Sequence, residues 1–238
     1  MKTYCISDIH GHYQNFLAFY ETLEEDDLVY VLGDVIDKGE DPISCLRLIM
    51  NDRRFIMILG NHEYMMWQYL HSLKNDLSDK EENYIQWIEW NRGSDTYKPY
   101  LQLEEAEQKK IYDFIEDLPL NVPEVTVNDR KFYLVHSLPG SDKEIRMADI
   151  GYNDDLIYSY VWDRQLIDEY LKPFEDKTVI AGHTVVQEYY GYFKCEPYYY
   201  GDDISKAPYI DIDGGLAYQL PGSRLIALCL DDLTYRMY

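Results

Sequence analysis

Basic residues are scarce in this 238-residue sequence: 22 Lys and Arg stand against 44 Asp and Glu, for a formal charge of −22. Such a surface repels phosphate backbones and anionic headgroups, so neither a nucleic-acid nor a membrane partner is expected. Cysteine is sparse too. The four cysteines, at positions 5, 45, 195 and 229, form no CxxC pair and no metal-finger spacing. Cys5 and Cys229 lie in apolar, strand-like runs, where a thiol behaves as a small buried hydrophobe. No apolar run approaches the ~18 residues that a membrane-spanning helix needs. The chain opens directly into an apolar, strand-like run, so no signal peptide is expected. These absences together predict a cytoplasmic setting with reduced thiols. Linkers, internal repeats and low-complexity runs are also missing, so a single domain over 1–238 is expected.

What the sequence does contain is three short polar strings: Ser7-Asp8-Ile9-His10-Gly11, Gly33-Asp34-Val35-Ile36-Asp37-Lys38-Gly39 and Gly60-Asn61-His62-Glu63. Each follows an apolar run (3–6, 28–32 and 54–59), so carboxylates, an amide and imidazoles gather where strands end. In open α/β sheets, ligands bind at the carboxyl ends of strands. Asp, His and Asn are donors suited to Mn, Fe or Zn. Asp34 has two oxygens to share between cations held roughly 3.5–4 Å apart in a two-metal site. Asp8 and His10 converge on one cation if the strand pleat persists through Ile9. Two later apolar runs also end in histidine, at Val135-His136-Ser137 and Gly182-His183-Thr184. Of six histidines, four fall in these strings. His12 is expected at the pocket rim and His71 on the surface.

This motif set resembles the PPP-type metallophosphatases, the phosphoprotein phosphatase family, and is nearest to their short bacterial and phage forms, within the calcineurin-like phosphoesterase fold. The resemblance runs from Asp8 to about Gly215. It implies that Asp8, His10 and Asp34 hold one metal and that Asp34, Asn61, His136 and His183 hold the other, with Mn first and Fe or Zn as alternatives. It makes His62 the general acid, oriented by Asp37, and Arg164 a phosphate-binding arginine. One position departs. The family's second string normally carries an arginine where this chain has Lys38, which keeps the charge but loses the planar fork that grips phosphate bidentately.

Strands are expected at 3–7, 28–33 and 54–59, with helices at about 12–23 and 42–51. The segment 64–118 has helical spacing (Met65, Met66, Trp67 and Leu70; Tyr84, Ile85, Trp87 and Ile88) and forms a helical cap insertion, with Trp90, Asn91 and Arg92 as rim candidates. Asn128-Asp129 predicts a hairpin turn. A helix is expected around 163–171, then strands at 178–181, 208–213, 223–230 and 233–237, with Asp213-Gly214-Gly215 beside the site. Parallel units followed by hairpins predict an α/β protein with two mixed sheets, and the resemblance sharpens this to a four-layer α/β/β/α sandwich. The function expected first is a dinuclear-metal serine/threonine protein phosphatase. Symmetrical hydrolysis of dinucleoside polyphosphates such as diadenosine tetraphosphate is the alternative. An inactive metal-binding interaction protein is a third reading, disfavoured because holding metal requires neither His62 nor Asp37.

Overall fold

The computed structural model describes residues 1–164, 166–191 and 194–238. In chain order, β1 (Thr3–Ile6), α1 (Tyr13–Tyr20), β2 (Leu28–Val31), α2 (Pro42–Asn51) and β3 (Phe55–Met57) make two successive parallel units. Four helices follow: α3 (Asn61–Lys74), α4 (Lys80–Tyr84), α5 (Ser94–Tyr100) and α6 (Glu105–Glu116), with a π-helical turn over Ile85–Trp90 between α4 and α5. Then come β4 (Asn121–Val127), β5 (Arg130–Val135), α7 (Asp154–Val161), β6 (Thr178–Ala181), α8 (Val186–Tyr189), β7 (Tyr209–Asp211), β8 (Ile226–Cys229) and β9 (Tyr235–Met237).

Two mixed sheets result, ordered β3-β2-β1-β8-β9 and β4-β5-β6-β7. Side chains on successive strand residues point to opposite faces, and the sequence uses both. Cys5, Tyr30, Leu134, Ile180, Ile210 and Leu228 belong to one buried cluster shared by the two sheets. Their neighbours Ile6, Val29, Val31, Tyr133, Val179 and Ala227 belong to a second cluster with the helices. The sheets therefore pack face to face with helices outside, which gives the expected layers. The register aligns Cys5 with both Tyr30 and Leu228, and Leu134 with Ile180, so each cluster is continuous across its sheet.

Asp41 caps α2 by accepting from Ser44 N at 3.0 Å, with Pro42 just inside the helix, an arrangement favoured at helix starts. The hairpin falls at Asn128 and Asp129, whose φ values of 48° and 64° fit a two-residue turn.

Three expectations need correction. No helix covers the described part of 163–171 (Gln165 lies outside the described residues). The helix is α7 instead, where Asn153 accepts from Leu156 N at 3.0 Å and Asp154 and Asp155 fill the first turn. Ile167 is buried and Leu171 packs against the core, but Leu166 and Tyr170 are 74% and 82% exposed, so this stretch anchors to the core at separate points without forming a helix. The third string is not a strand-to-loop junction alone, because α3 starts at Asn61 and carries Asn61 and His62 in its first turn. His71 is not a surface residue. It is half-buried, stacked on Trp67 at 4.5 Å, with Nδ1 2.9 Å from Tyr112 Oη.

Candidate metal centre

The first two strings meet because their backbones are laced together. His10 N donates to Asp34 O at 2.9 Å, Gly11 N to Val35 O at 2.7 Å and Asp8 N to Gly33 O at 3.2 Å. A persisting pleat does not bring Asp8 and His10 together, contrary to expectation. β1 ends at Ile6, and both residues adopt left-handed backbone, φ 52° and 46°. Asp34, Asp37, Lys38 and His183 do the same, at φ 53°, 70°, 67° and 66°. Strained backbone of this kind persists only where surrounding contacts enforce it, commonly at functional sites.

Glu63 supplies much of that enforcement. Its carboxylate accepts from the backbone N–H groups of Asp34 (2.8 Å), Val35 (2.8 Å), Ile36 (3.2 Å) and Gly60 (3.2 Å). It thereby joins the second string to the start of α3. Gly60 has to be glycine, since a Cβ there would lie 2.3 Å from Asp34 N and Oδ1. His62 N donates to Asp34 Oδ1 at 2.9 Å, and His183 N donates to Asp8 Oδ2 at 3.0 Å.

Two donor groups face each other across Asp34. Its Oδ2 is 3.5 Å from His10 Nε2 and its Oδ1 is 3.6 Å from His136 Nε2. Asp8 Oδ1 is 3.7 Å from the same His10 nitrogen. The donor atoms of His10, Asp34 and His62 lie within 4.8 Å of one another, as do those of Asp34, His136 and His183. Second partners set the imidazole tautomers. His10 Nδ1 faces Ile36 O (3.2 Å) and His136 Nδ1 faces Leu32 O (2.6 Å), so each donates there and turns the Nε2 lone pair inward. In His183 the roles exchange, because Nε2 donates to Trp162 O at 3.0 Å, which leaves Nδ1 the ring's acceptor nitrogen. His136 Nε2 and Asn61 Oδ1 are then two acceptors 3.0 Å apart, at a point where a cation serves both.

Burial pushes the His10 and His183 imidazolium forms down, with Lys38 adding to His10 and His136 to His183, so both rings are neutral and ready to ligate. Burial pushes the Asp8 carboxyl up, and the neighbouring Asp34 adds to the shift. Burial and Asp34 raise Glu63 to about 8, against the pull of its backbone donors. Asp213, lining the same cavity, is also raised by burial and by Asp8. Buried carboxylates repelling one another beside neutral imidazoles fit divalent cations.

His62 differs from the other three histidines. Its Nδ1 sits 2.6 Å from Asp37 Oδ2, and its Nε2 looks toward Asp34 Oδ2 at 3.9 Å. A cavity of about 60 Å³ opens above this group, with Lys38, Asn91, Trp162, Arg164 and Tyr218 at its walls. Lys38 Nζ stands 5.4 Å over the Tyr218 ring, and Arg164 Nη2 reaches His183 O at 3.4 Å. The structure thus brings every candidate ligand, His62, Asp37 and both candidate phosphate contacts to one place. Of the rim candidates, Asn91 lines the cavity and Arg92 donates to Lys38 O at 3.0 Å. Trp90 is 76% exposed on a separate cleft with Glu81 and Glu82. His12 lies off the cavity, with Nδ1 3.6 Å from Glu40. Sequence reading assigned no role to Glu63, Trp87 or Thr96. Glu63 could have been found, since it completes the third string, whereas nothing local marks the other two.

The chain matches the model of the calcineurin-like phosphoesterases over residues 1–187. A symmetrical bis(5'-nucleosyl)-tetraphosphatase of Wigglesworthia glossinidia brevipalpis is 39% identical over 67 residues, 26% of this chain and 25% of the relative. One from Buchnera aphidicola subsp. Schizaphis graminum is 32% identical over 89 residues, 36% of this chain and 32% of the relative. The match thus spans a quarter to a third of each relative. Among solved structures, a metallophosphoesterase from Sphaerobacter thermophilus aligns with TM-score 0.58 at 17% identity, over 100% of this chain and 88% of that one. A serine/threonine phosphatase from Saccharomyces cerevisiae aligns with TM-score 0.55 at 13% identity, over 100% and 79%. At such identities these likenesses concern the fold alone. With the family model covering most of the chain and its donor groups gathered at the strand ends, the chain belongs to the calcineurin-like phosphoesterase family.

Proposed function

We propose that this protein is a dinuclear-metal hydrolase that cleaves dinucleoside polyphosphates symmetrically. The observation that carries the dinuclear reading is Asp34, whose two carboxylate oxygens face different imidazoles at 3.5 and 3.6 Å. Asp8, His10 and Asp34 would hold one cation, and Asp34, Asn61, His136 and His183 the other. Mn is the first choice and Fe or Zn the alternatives. Such a pair supplies a nucleophilic water at neutral pH and neutralises phosphoryl oxygens.

The chain's own groups do the rest. Lys38 and Arg164 hold the phosphate oxygens from the cavity wall. His62, its Nδ1–H held by Asp37, presents Nε2 to the leaving oxygen and gives it a proton. Water thus splits the central P–O–P bond of a dinucleoside tetraphosphate into two nucleoside diphosphates. The substrate choice is supported by the activity for which the relatives are named and by the wall itself. Lys38 in place of a forked arginine, set over an exposed Tyr218 ring, suits a polyphosphate with an aromatic base. This reverses the order of the two sequence expectations, because no observation favours the phosphoprotein reading. The short His62–Asp37 contact argues against an inactive binding protein.

The test is product analysis after Mn loading. Diadenosine tetraphosphate is expected to give ADP as the sole nucleotide product. ATP plus AMP would exclude symmetrical cleavage, and turnover of phosphopeptides alone would restore the protein-phosphatase reading.

A further inference from the structure

Asp37 is fully buried, and its carboxylate accepts three side-chain hydrogen bonds. One comes from the candidate acid, His62 Nδ1, at 2.6 Å to Oδ2. The other two come from the helical segment between β3 and β4. Trp87 Nε1, in the π-helical turn, donates to the same Oδ2 at 2.9 Å, and the Thr96 hydroxyl, in the first turn of α5, donates to Oδ1 at 2.5 Å. Thr96 Oγ1 also accepts from Asp37 N at 2.9 Å, and Arg92 ties down the next carbonyl, that of Lys38. Trp87 and Thr96 are themselves fully buried. π-Turns within helical segments recur at functional sites. The indole here is held from behind by Gly93, where a Cβ would lie 2.5 Å from the ring.

We propose that Trp87 and Thr96 are positioning residues for the acid: the helical segment fixes the Asp37 carboxylate plane and so aims His62 Nε2. This rests on the reading of His62 as proton donor. Oδ2 is shared by His62 and Trp87, so losing the indole removes one of the three donors that oppose rotation about the carboxylate's terminal torsion, which is broad in side chains of this type. The Thr96 hydroxyl blocks the same rotation from the other oxygen. Together the two donors hold the left-handed bend at Asp37 and Lys38 in register with α3.

The test uses Trp87→Phe, Thr96→Val and Thr96→Ser, loaded with Mn for kinetics and with diamagnetic zinc for NMR. The first two variants are expected to lower kcat on phenyl phosphate by about 10- to 100-fold, the usual effect of losing an outer-shell partner. The loss should be smaller on p-nitrophenyl phosphate, whose leaving group needs less protonation, with KM and metal content unchanged. Thr96→Ser, which keeps the hydroxyl, should recover most of the rate. An equal loss on both esters, or none, would overturn the proposal. Proton NMR supplies a readout that needs no turnover. The far-downfield Nδ1–H resonance of His62 should exchange faster with solvent in Trp87→Phe and Thr96→Val, and an unchanged resonance would overturn positioning. If the Mn-loaded wild type hydrolyses neither diadenosine tetraphosphate nor these esters, the functional reading has failed and the resonance alone decides this one.

Discussion

At His62 one ring nitrogen is 2.6 Å from Asp37 and the other faces the cavity, the arrangement on which the proposed proton donor rests. His62→Asn is expected to keep its metals and to lose roughly 10²–10⁴-fold in turnover of alkyl phosphates, the usual range for general acid help. On a dinucleoside tetraphosphate the loss should be smaller, since the departing diphosphate oxygen is a weak base. Metal analysis alongside kinetics on both substrates checks this, and loss of metal from the variant would make His62 a ligand. The ligand types were legible in the sequence because each motif is short and ends an apolar run. The roles of Trp87 and Thr96 were not. They lie 50 and 59 residues from Asp37, and only the packing of the helical segment sets that contact.

At the scale of elements, local chemistry decided what could be read. α2 was legible because Asp41 and Pro42 mark its start. The helix expected at 163–171 is not found among its described residues, and the helix of this region is α7, which Asn153 caps upstream. The π-helical turn had no sequence signature beyond the break at Asn91-Arg92-Gly93. That break is tight. Gly93 has φ −58°, so its backbone suits any residue, and the close approach of the Trp87 ring is what demands glycine. Gly93→Ala should therefore cost about 1–3 kcal/mol through overpacking, read as a fall in Tm. Trp87→Phe in the same chain should recover part of that cost, because the smaller ring vacates the space and contacting sites are not additive. Strictly additive losses would mean that the methyl and the indole do not meet.

For the molecule as a whole, the succession of parallel units and then hairpins was legible and predicted two mixed sheets. The crossing of β8 onto β1 was not, because it pairs residues more than 220 apart, Tyr4 with Cys229 and Cys5 with Leu228. That topology gathers carboxylates in the interior, and their titration has a definite sign. Burial holds Asp8, Glu63 and Asp213 above the ordinary carboxylate range, with Glu63 at about 8. Without metal, the folded chain keeps protons there that the unfolded chain has released, so stability falls as pH rises through that window. His10, His12 and His183, lowered by burial, act in the opposite direction, an effect that fades above about pH 7 as unfolded imidazoles lose their protons. Between about pH 7 and 8 the raised carboxylates give the slope its sign. In chelator, Tm should drop across that interval. With saturating Mn it should flatten, since a bound cation favours the ionised carboxylates and releases their protons. A Tm that rises with pH in chelator would mean that these carboxylates are already ionised in the empty centre, held by their backbone donors rather than by the cations.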